Sequence, residues 1–191
     1  KVVIRMGGDL LWEKFVESGR GKTTLSEFCE KKLYKDFSLP YRLINFTLRQ
    51  ASVVVFNTEF QRDLFVSHYG LNRDKVSVIG NVFEKAGGKP PAYGNNPKII
   101  LWAGRFLKLK NLDFLLKVFK RLIAYDKNLV LELVGEGPEK LRIIKAVKLE
   151  GLTEKVSITG SLSESALKER ISNSYFCILP SLSEVSPNFA L

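Results

Sequence analysis

Apolar residues gather along the second half of the chain into short runs separated by longer segments of helical period. The runs are 98–102, 129–134, 156–159 and 175–179, the last ended by Pro180. Between the first two, Leu112, Leu115, Leu116, Phe119 and Leu122 share one face of a 3.6-residue repeat while Lys117, Lys120 and Arg121 lie off it, which predicts a helix over about 112–125. A second helix is predicted over about 138–150, with Pro138 suited to its first turn and Gly151 to its C-terminal cap. Ser163 opens a third, running to about Ser172. Strands alternating with helices imply a parallel sheet wrapped by helices.

The first half is less regular. Strands are predicted over 2–5, 52–56 and 76–79, and helical character over about 40–50. The run 52–56 is continuously apolar, as buried parallel strands are. Thr58 caps the helix after it, with Gln61 in place to complete a capping box. Between the halves, E-K-A-G-G-K-P-P-A-Y-G-N-N-P at 84–97 has the composition of a linker. The chain therefore divides into 1–83, the linker 84–97 and 98–191. It opens inside a strand-like run, so its natural N-terminus is expected upstream.

Composition narrows the class. Of 191 residues, 45% are hydrophobic and 26% charged, which is globular and not disordered. No apolar run reaches the roughly 18 residues of a membrane span. The net charge of +10 is spread evenly, with 15 basic and 10 acidic residues in each half. Spread positive charge fits an anionic ligand, a membrane surface or nucleic acid, or solubility alone. Cys29 and Cys177 make no disulfide framework, which favours a reducing compartment, and Cys177 reads as a buried thiol. The lone His68 on a helix fits a capping or surface role, and no metal cluster or D-x-D pair is present to hold a cation.

Ligands of parallel α/β sheets bind beyond the carboxyl ends of the strands. The four runs of the second half are followed by Gly104-Arg105, Gly135-Glu136-Gly137, Gly160-Ser161 and Ser181-Leu182-Ser183-Glu184. Any one of these is ordinary turn punctuation. Four together, with the cations Arg105 and Lys110, suit a phosphorylated ligand carrying hydroxyl groups. Lys108, between those cations, reads as plain surface. Two partial motifs fail. S-G-R-G-K-T-T at 18–24 ends like a phosphate loop but has Val16 where the first glycine belongs, and V-G-E-G-P-E-K at 134–140 puts Lys140 at the third glycine of a dinucleotide fingerprint. The first reads as a polar surface loop, and a nicotinamide dehydrogenase finds no support in the second.

The second half resembles the donor-binding domain of the family 4 (group 1) retaining glycosyltransferases of GT-B architecture. G-R-F-L-K-L-K-N at 104–111, L-V-G-E-G-P at 133–138, V-S-I-T-G at 156–160 and L-P-S-L-S-E-V-S-P-N-F-A-L at 179–191 match that family's motifs in order. The first half is similar more loosely, through V-V-F-N-T-E-F at 54–60, V-I-G-N at 78–81 and R-M-G-G-D at 5–9, where many members carry a histidine and this chain has Gly7 and Gly8. The resemblance implies two Rossmann-like α/β domains, 1–83 on the acceptor side and 98–191 on the donor side, both incomplete in an internal fragment. It implies transfer of a sugar from a nucleotide-diphosphate sugar to a glycan or lipid-linked acceptor, with retention, without metal and without a further cofactor. A role in polysaccharide biosynthesis, a cytoplasmic location, peripheral membrane contact and no nucleic-acid partner go with it.

The same resemblance assigns roles by residue. Arg105 and Lys110 hold the diphosphate, and Glu184 accepts hydrogen bonds from the donor sugar. Gly104, Gly135, Glu136, Gly137, Ser183, Val185, Ser186 and Asn188 surround the donor, with Gly7 and Gly8 facing it from the first domain. The family's second glutamate would be residue 192, one past Leu191. Two alternatives stay open: another GT-B sugar-nucleotide enzyme such as an epimerase, and a non-catalytic basic module that binds anions.

Overall fold

A computed structural model describes residues 1–80 and 97–184. The described residues form two compact units, 1–80 with 182–184 and 97–181. The predicted linker residues 84–96, together with Val185, Ser186 and Asn188, lie outside the described residues.

The first unit contains a parallel three-stranded sheet of β1 (Val3–Met6), β2 (Val53–Phe56) and β3 (Val76–Val78), in that order, with Val3 opposite Val53 and Val54 opposite Val76. Three helices precede β2: α1 (Leu10–Glu17), α2 (Leu25–Glu30) and α3 (Ser38–Gln50). Neither α1 nor α2 is predicted: α1 carries a two-turn apolar face of Leu11, Trp12, Phe15 and Val16, whereas α2, at six residues, is too short to display a repeat. What starts them is capping. Asp9 accepts from the N–H groups of Leu11 and Trp12, and Thr24 with Glu27 forms a reciprocal capping box. The segment 18–24 is the connection between these two helices, as a polar loop should be.

Asp9 is only 1% exposed and also accepts from the Tyr69 hydroxyl at 2.7 Å. Burial pushes its carboxyl above the ordinary range, partly offset by those three hydrogen bonds, and pushes the Tyr69 phenol up as well. α4 (Glu59–Tyr69) begins at Thr58 as expected, but the capping box is only half formed. The Gln61 amide oxygen accepts instead from the N–H of Asn57, one residue further back.

The second unit is a parallel sheet in the order β6-β5-β4-β7, built from β4 (Lys98–Ala103), β5 (Leu129–Val134), β6 (Val156–Thr159) and β7 (Phe176–Cys177). Helices α5 (Leu112–Tyr125) and α6 (Lys140–Leu149) cover one face, where Ile100, Trp102, Leu131, Leu133, Leu116, Phe119 and Ile143 form a buried cluster. α7 (Glu164–Ser172) covers the other, where Leu101, Ala103 and Val134 meet Leu162, Leu167 and Ile171. Both faces of β4 are thus buried, which is why its sequence shows no polar alternation. β7 is two residues long at the sheet edge, so Cys177 is half-buried and not fully enclosed; partial burial still raises its thiol pKa. The architecture expected from the sequence, α/β with two Rossmann-like units, is the one found. No helix among the described residues is long and apolar enough to cross a membrane.

Candidate functional site

Past the carboxyl ends of β4 and β5 the chain does not simply turn away. The β4 loop and the β5 loop continue to hydrogen-bond beyond the strands. Gly104 N–H donates to Val134 O at 2.9 Å, Phe106 N–H to Glu136 O at 2.8 Å, and Glu139 N–H back to Phe106 O at 3.1 Å. Gly135 N–H donates to Thr159 O at 3.0 Å, tying in the end of β6. The Phe106 ring is fully buried against Trp102, with ring centres 5.1 Å apart. This places Arg105, exposed, on a backbone held on one side by the Gly104 N–H bond to Val134 O and on the other by the buried Phe106.

Two glycines make that approach feasible. Gly135 has φ +135°, and a Cβ there would lie 2.0 Å from Gly104 O. Gly137 has φ +153°, and a Cβ there would lie 2.5 Å from Phe106 O. Both positions combine a backbone conformation that L side chains avoid with space already filled by main chain.

The loops line an open cavity of about 540 Å³ at the strand ends. Gly104, Arg105, Gly135, Glu136 and Gly137, all predicted site residues, line it. Ser161, Leu162 and Leu167 line it as well and are not among the residues predicted to bind. The signal for Ser161 was the segment Gly160-Ser161, the third of the four strand-end segments, whereas Leu162 and Leu167 of the segment leading into and through α7 lay outside it. Glu136 is not a bare carboxylate: Lys140, four residues on at the start of α6, pairs with it at 2.5 Å. Behind the cavity, Arg142 of α6 holds Asp113 of α5 through two hydrogen bonds of 2.7 and 2.9 Å and also pairs with Glu139. These carboxylates hold its guanidinium above its ordinary pKa.

Lys110 does not line the cavity wall. It is half-buried in the 3₁₀ turn Lys108–Lys110, whose central Leu109 is buried. Lys108, predicted to be plain surface, is half-buried and takes part in interactions of its own. Asn111 follows with φ +53° and donates its side-chain N–H to Pro180 O at 3.2 Å. Ser183 and Glu184 are half-buried and group with the first unit, as do Gly7 and Gly8 on the β1–α1 loop. No atom lies within 4 Å of a Cβ placed on Gly7.

Chemically, the cavity offers the exposed Arg105, close backbone approach, a hydroxyl at Ser161 and an apolar wall from Leu162 and Leu167. That suits an anionic group with an apolar or planar portion beside it.

The family model for group 1 glycosyl transferases matches residues 89–190, more than half of the chain. Among curated proteins, the uncharacterized glycosyltransferase YqgM of Bacillus subtilis (strain 168) is 29% identical over 156 residues, covering 79% of this chain and 42% of that protein. The phosphatidylinositol N-acetylglucosaminyltransferase gpi3 subunit of Schizosaccharomyces pombe is 24% identical over 145 residues, covering 75% of this chain and 32% of its own. The chain therefore spans less than half the length of these relatives. Among solved structures, Anabaena HepE in complex with UDP and glucose matches 96% of this chain and 47% of its own at a TM-score of 0.69 and 15% identity. Sucrose-phosphate synthase from Thermosynechococcus elongatus matches 97% and 46% at 0.69 and 19%. The likeness to these structures is one of fold, the GT-B fold.

Proposed function

Since the chain belongs to the group 1 glycosyl transferases, we propose that the whole protein moves a sugar from a nucleotide-diphosphate sugar to a glycan or lipid-linked acceptor. The observation that carries the reading is the strand-end cavity, with the Arg105 guanidinium at a mouth built from the interlocked loops after β4 and β5. UDP in the HepE structure and the glycolipid-forming name of the gpi3 relative support this ligand class and this kind of acceptor.

In this reading the bond between the sugar's anomeric carbon and the diphosphate breaks, and a bond from an acceptor oxygen forms on the same face. The acceptor's proton passes to the departing phosphate oxygen, so no protein base is required. Arg105 and Lys110 neutralise the charge that grows on the diphosphate, and a cationic group fixed in advance stabilises that charge without reorganising. Glu184 accepts hydrogen bonds from the sugar hydroxyls, while Ser183, Val185, Ser186 and Asn188 surround it, and Gly7 and Gly8 contribute substrate contacts from the acceptor-side domain. Glu136, held by Lys140, keeps its negative charge compensated near the nucleotide. The two cations take the place of a metal ion, and the protein works in the cytoplasm, in peripheral contact with a membrane when its acceptor is lipid-linked.

The test is titration of the full-length protein with UDP, GDP and ADP, against an Arg105→Ala, Lys110→Ala double variant. Loss of two charge-assisted contacts is expected to weaken binding by about tenfold or more. Equal affinity in both proteins refutes the phosphate role. A donor panel with the product anomer read by NMR then tests the chemistry: an inverted product refutes retention, and an epimerised free sugar nucleotide refutes transfer. Activity lost to a chelator and restored by Mg²⁺ refutes metal independence.

A further inference from the structure

The loop 104–111 is pinned at its first end by core packing and backbone hydrogen bonds, through Gly104, Phe106 and their β5-loop partners. Its other end is held differently. Asn111 stands at the N-cap of α5, a position where asparagine ordinarily turns its side chain onto the helix's own N–H groups. Here it makes no such bond. Its backbone takes the left-handed conformation, with φ +53° and ψ +38°, one of two such non-glycine residues among those described. The side chain instead crosses 69 positions of sequence to donate to Pro180 O, just past β7. Only asparagine, and to a lesser degree aspartate, tolerates this conformation while carrying a short polar group. Of the two, only asparagine can donate to a carbonyl.

We propose that Asn111 is a positioning residue: it ties the cation-bearing loop to the segment after β7 and so fixes Lys110 against the bound diphosphate. The inference rests on the nucleotide-sugar reading. The backbone turn alone would be served by glycine, so the turn does not account for the side chain. The bond it makes spans two strand-end loops of the same unit, and the loop it closes carries both cations assigned to the phosphate. A tether of this kind acts by holding Lys110 in place before the ligand arrives, which lowers the ordering cost of binding.

Asn111→Gly keeps the left-handed turn and removes the tether; Asn111→Asp keeps the size and loses the donor. In calorimetric titrations of the full-length protein with UDP, GDP and ADP, Asn111→Gly is expected to weaken nucleotide binding about three- to tenfold, the range set by one hydrogen bond. Asn111→Asp is expected to weaken it further, since it adds a negative charge near the phosphates. The decisive readout is coupling. If Asn111 acts through Lys110, Asn111→Gly has little effect in a Lys110→Ala background. A purely structural role predicts instead that the effects add and that thermal stability falls in parallel with affinity. Additive effects, or unchanged affinity in Asn111→Gly, overturn the tether while leaving the nucleotide reading intact. Failure of the wild-type protein to bind any of the three nucleotides overturns both.

Discussion

Replacing Gly135 by alanine tests whether the strand-end cavity is built by interlocked backbone. The new Cβ would start 2.0 Å from Gly104 O and 3.0 Å from Gly104 C, and the residue would sit at φ +135°. Relief requires the β4 and β5 loops to part by about 1 Å, since real Cβ contacts essentially never fall under 3.0 Å. The same movement strains the bonds from Gly104 N–H to Val134 O and from Phe106 N–H to Glu136 O. Backbone strain of about 1–3 kcal/mol and a similar steric cost together give roughly 2–6 kcal/mol, with the middle of that range, roughly 4 kcal/mol, the expected value. For a unit of this size that corresponds to a fall in unfolding midpoint of more than about 10 °C. The assay is thermal unfolding followed by tryptophan emission in a Trp12→Phe background, so that the signal reports Trp102 alone. That indole is fully buried and its ring stands 3.1 Å from where a Cβ on Gly104 would be. Gly7→Ala is the control, since its Cβ would meet no atom within 4 Å and its backbone is not left-handed. A Gly135→Ala midpoint equal to that of Gly7→Ala would refute the interlocking account.

Two further outcomes follow from the ion pairs of the second unit. Arg142→Ala removes the two-pronged bond to Asp113 and the pair with Glu139, but the group is half-exposed, so the expected loss in urea unfolding is only about 0.5–1 kcal/mol; a loss several times larger would mean that Arg142 holds α6 by more than these pairs. Hydrogen bonds from Lys98 and Lys120 hold Asp126 and Glu150 below their ordinary carboxylate pKa values. Groups depressed in the folded state contribute stability that is present above their unfolded pKa and is lost as pH falls through the folded value. Melting midpoints measured between neutral pH and about pH 3 should therefore fall on the acid side, and less steeply in Lys98→Met. An identical acid slope in that variant would show that the Lys98–Asp126 pair contributes nothing.

The second unit was legible because its strands are buried on both faces and its helices carry a clear apolar stripe. Period and punctuation then give nearly the observed boundaries, although α6 begins at Lys140, two residues after Pro138; three of the four strand-end segments line one cavity, while residues 182–184 of the fourth group with the first unit. The first unit was legible in its strands and in α3 and α4, but not in α1 and α2: the caps at Asp9 and Thr24 start both, α1 adds only a two-turn apolar face at Leu11, Trp12, Phe15 and Val16, and α2 is too short for a repeat. The fate of Gln61 was equally out of reach, because the choice between its own cap and the Asn57 N–H is settled by packing around a fully buried side chain.

Gly135 and Gly137 show a different limit. In the sequence they stand 31 residues from Gly104 and Phe106, and nothing local records that these backbones meet. Read from the sequence, the missing side chains leave room for a nucleotide. In the structure the nearest atoms are the protein's own carbonyls, at 2.0 and 2.5 Å from the hypothetical Cβ atoms, and that is reason enough for glycine with no ligand present. Loss of nucleotide binding in a Gly135 variant would therefore report a broken loop as readily as a lost contact. Only the side chains that the fold does not use for itself can separate ligand from scaffold. Arg105, exposed on a backbone held by Phe106 and Gly104, is the clearest of these among the described residues. Its truncation removes a charge without moving the loop, so a change in nucleotide affinity there can be assigned to the ligand itself.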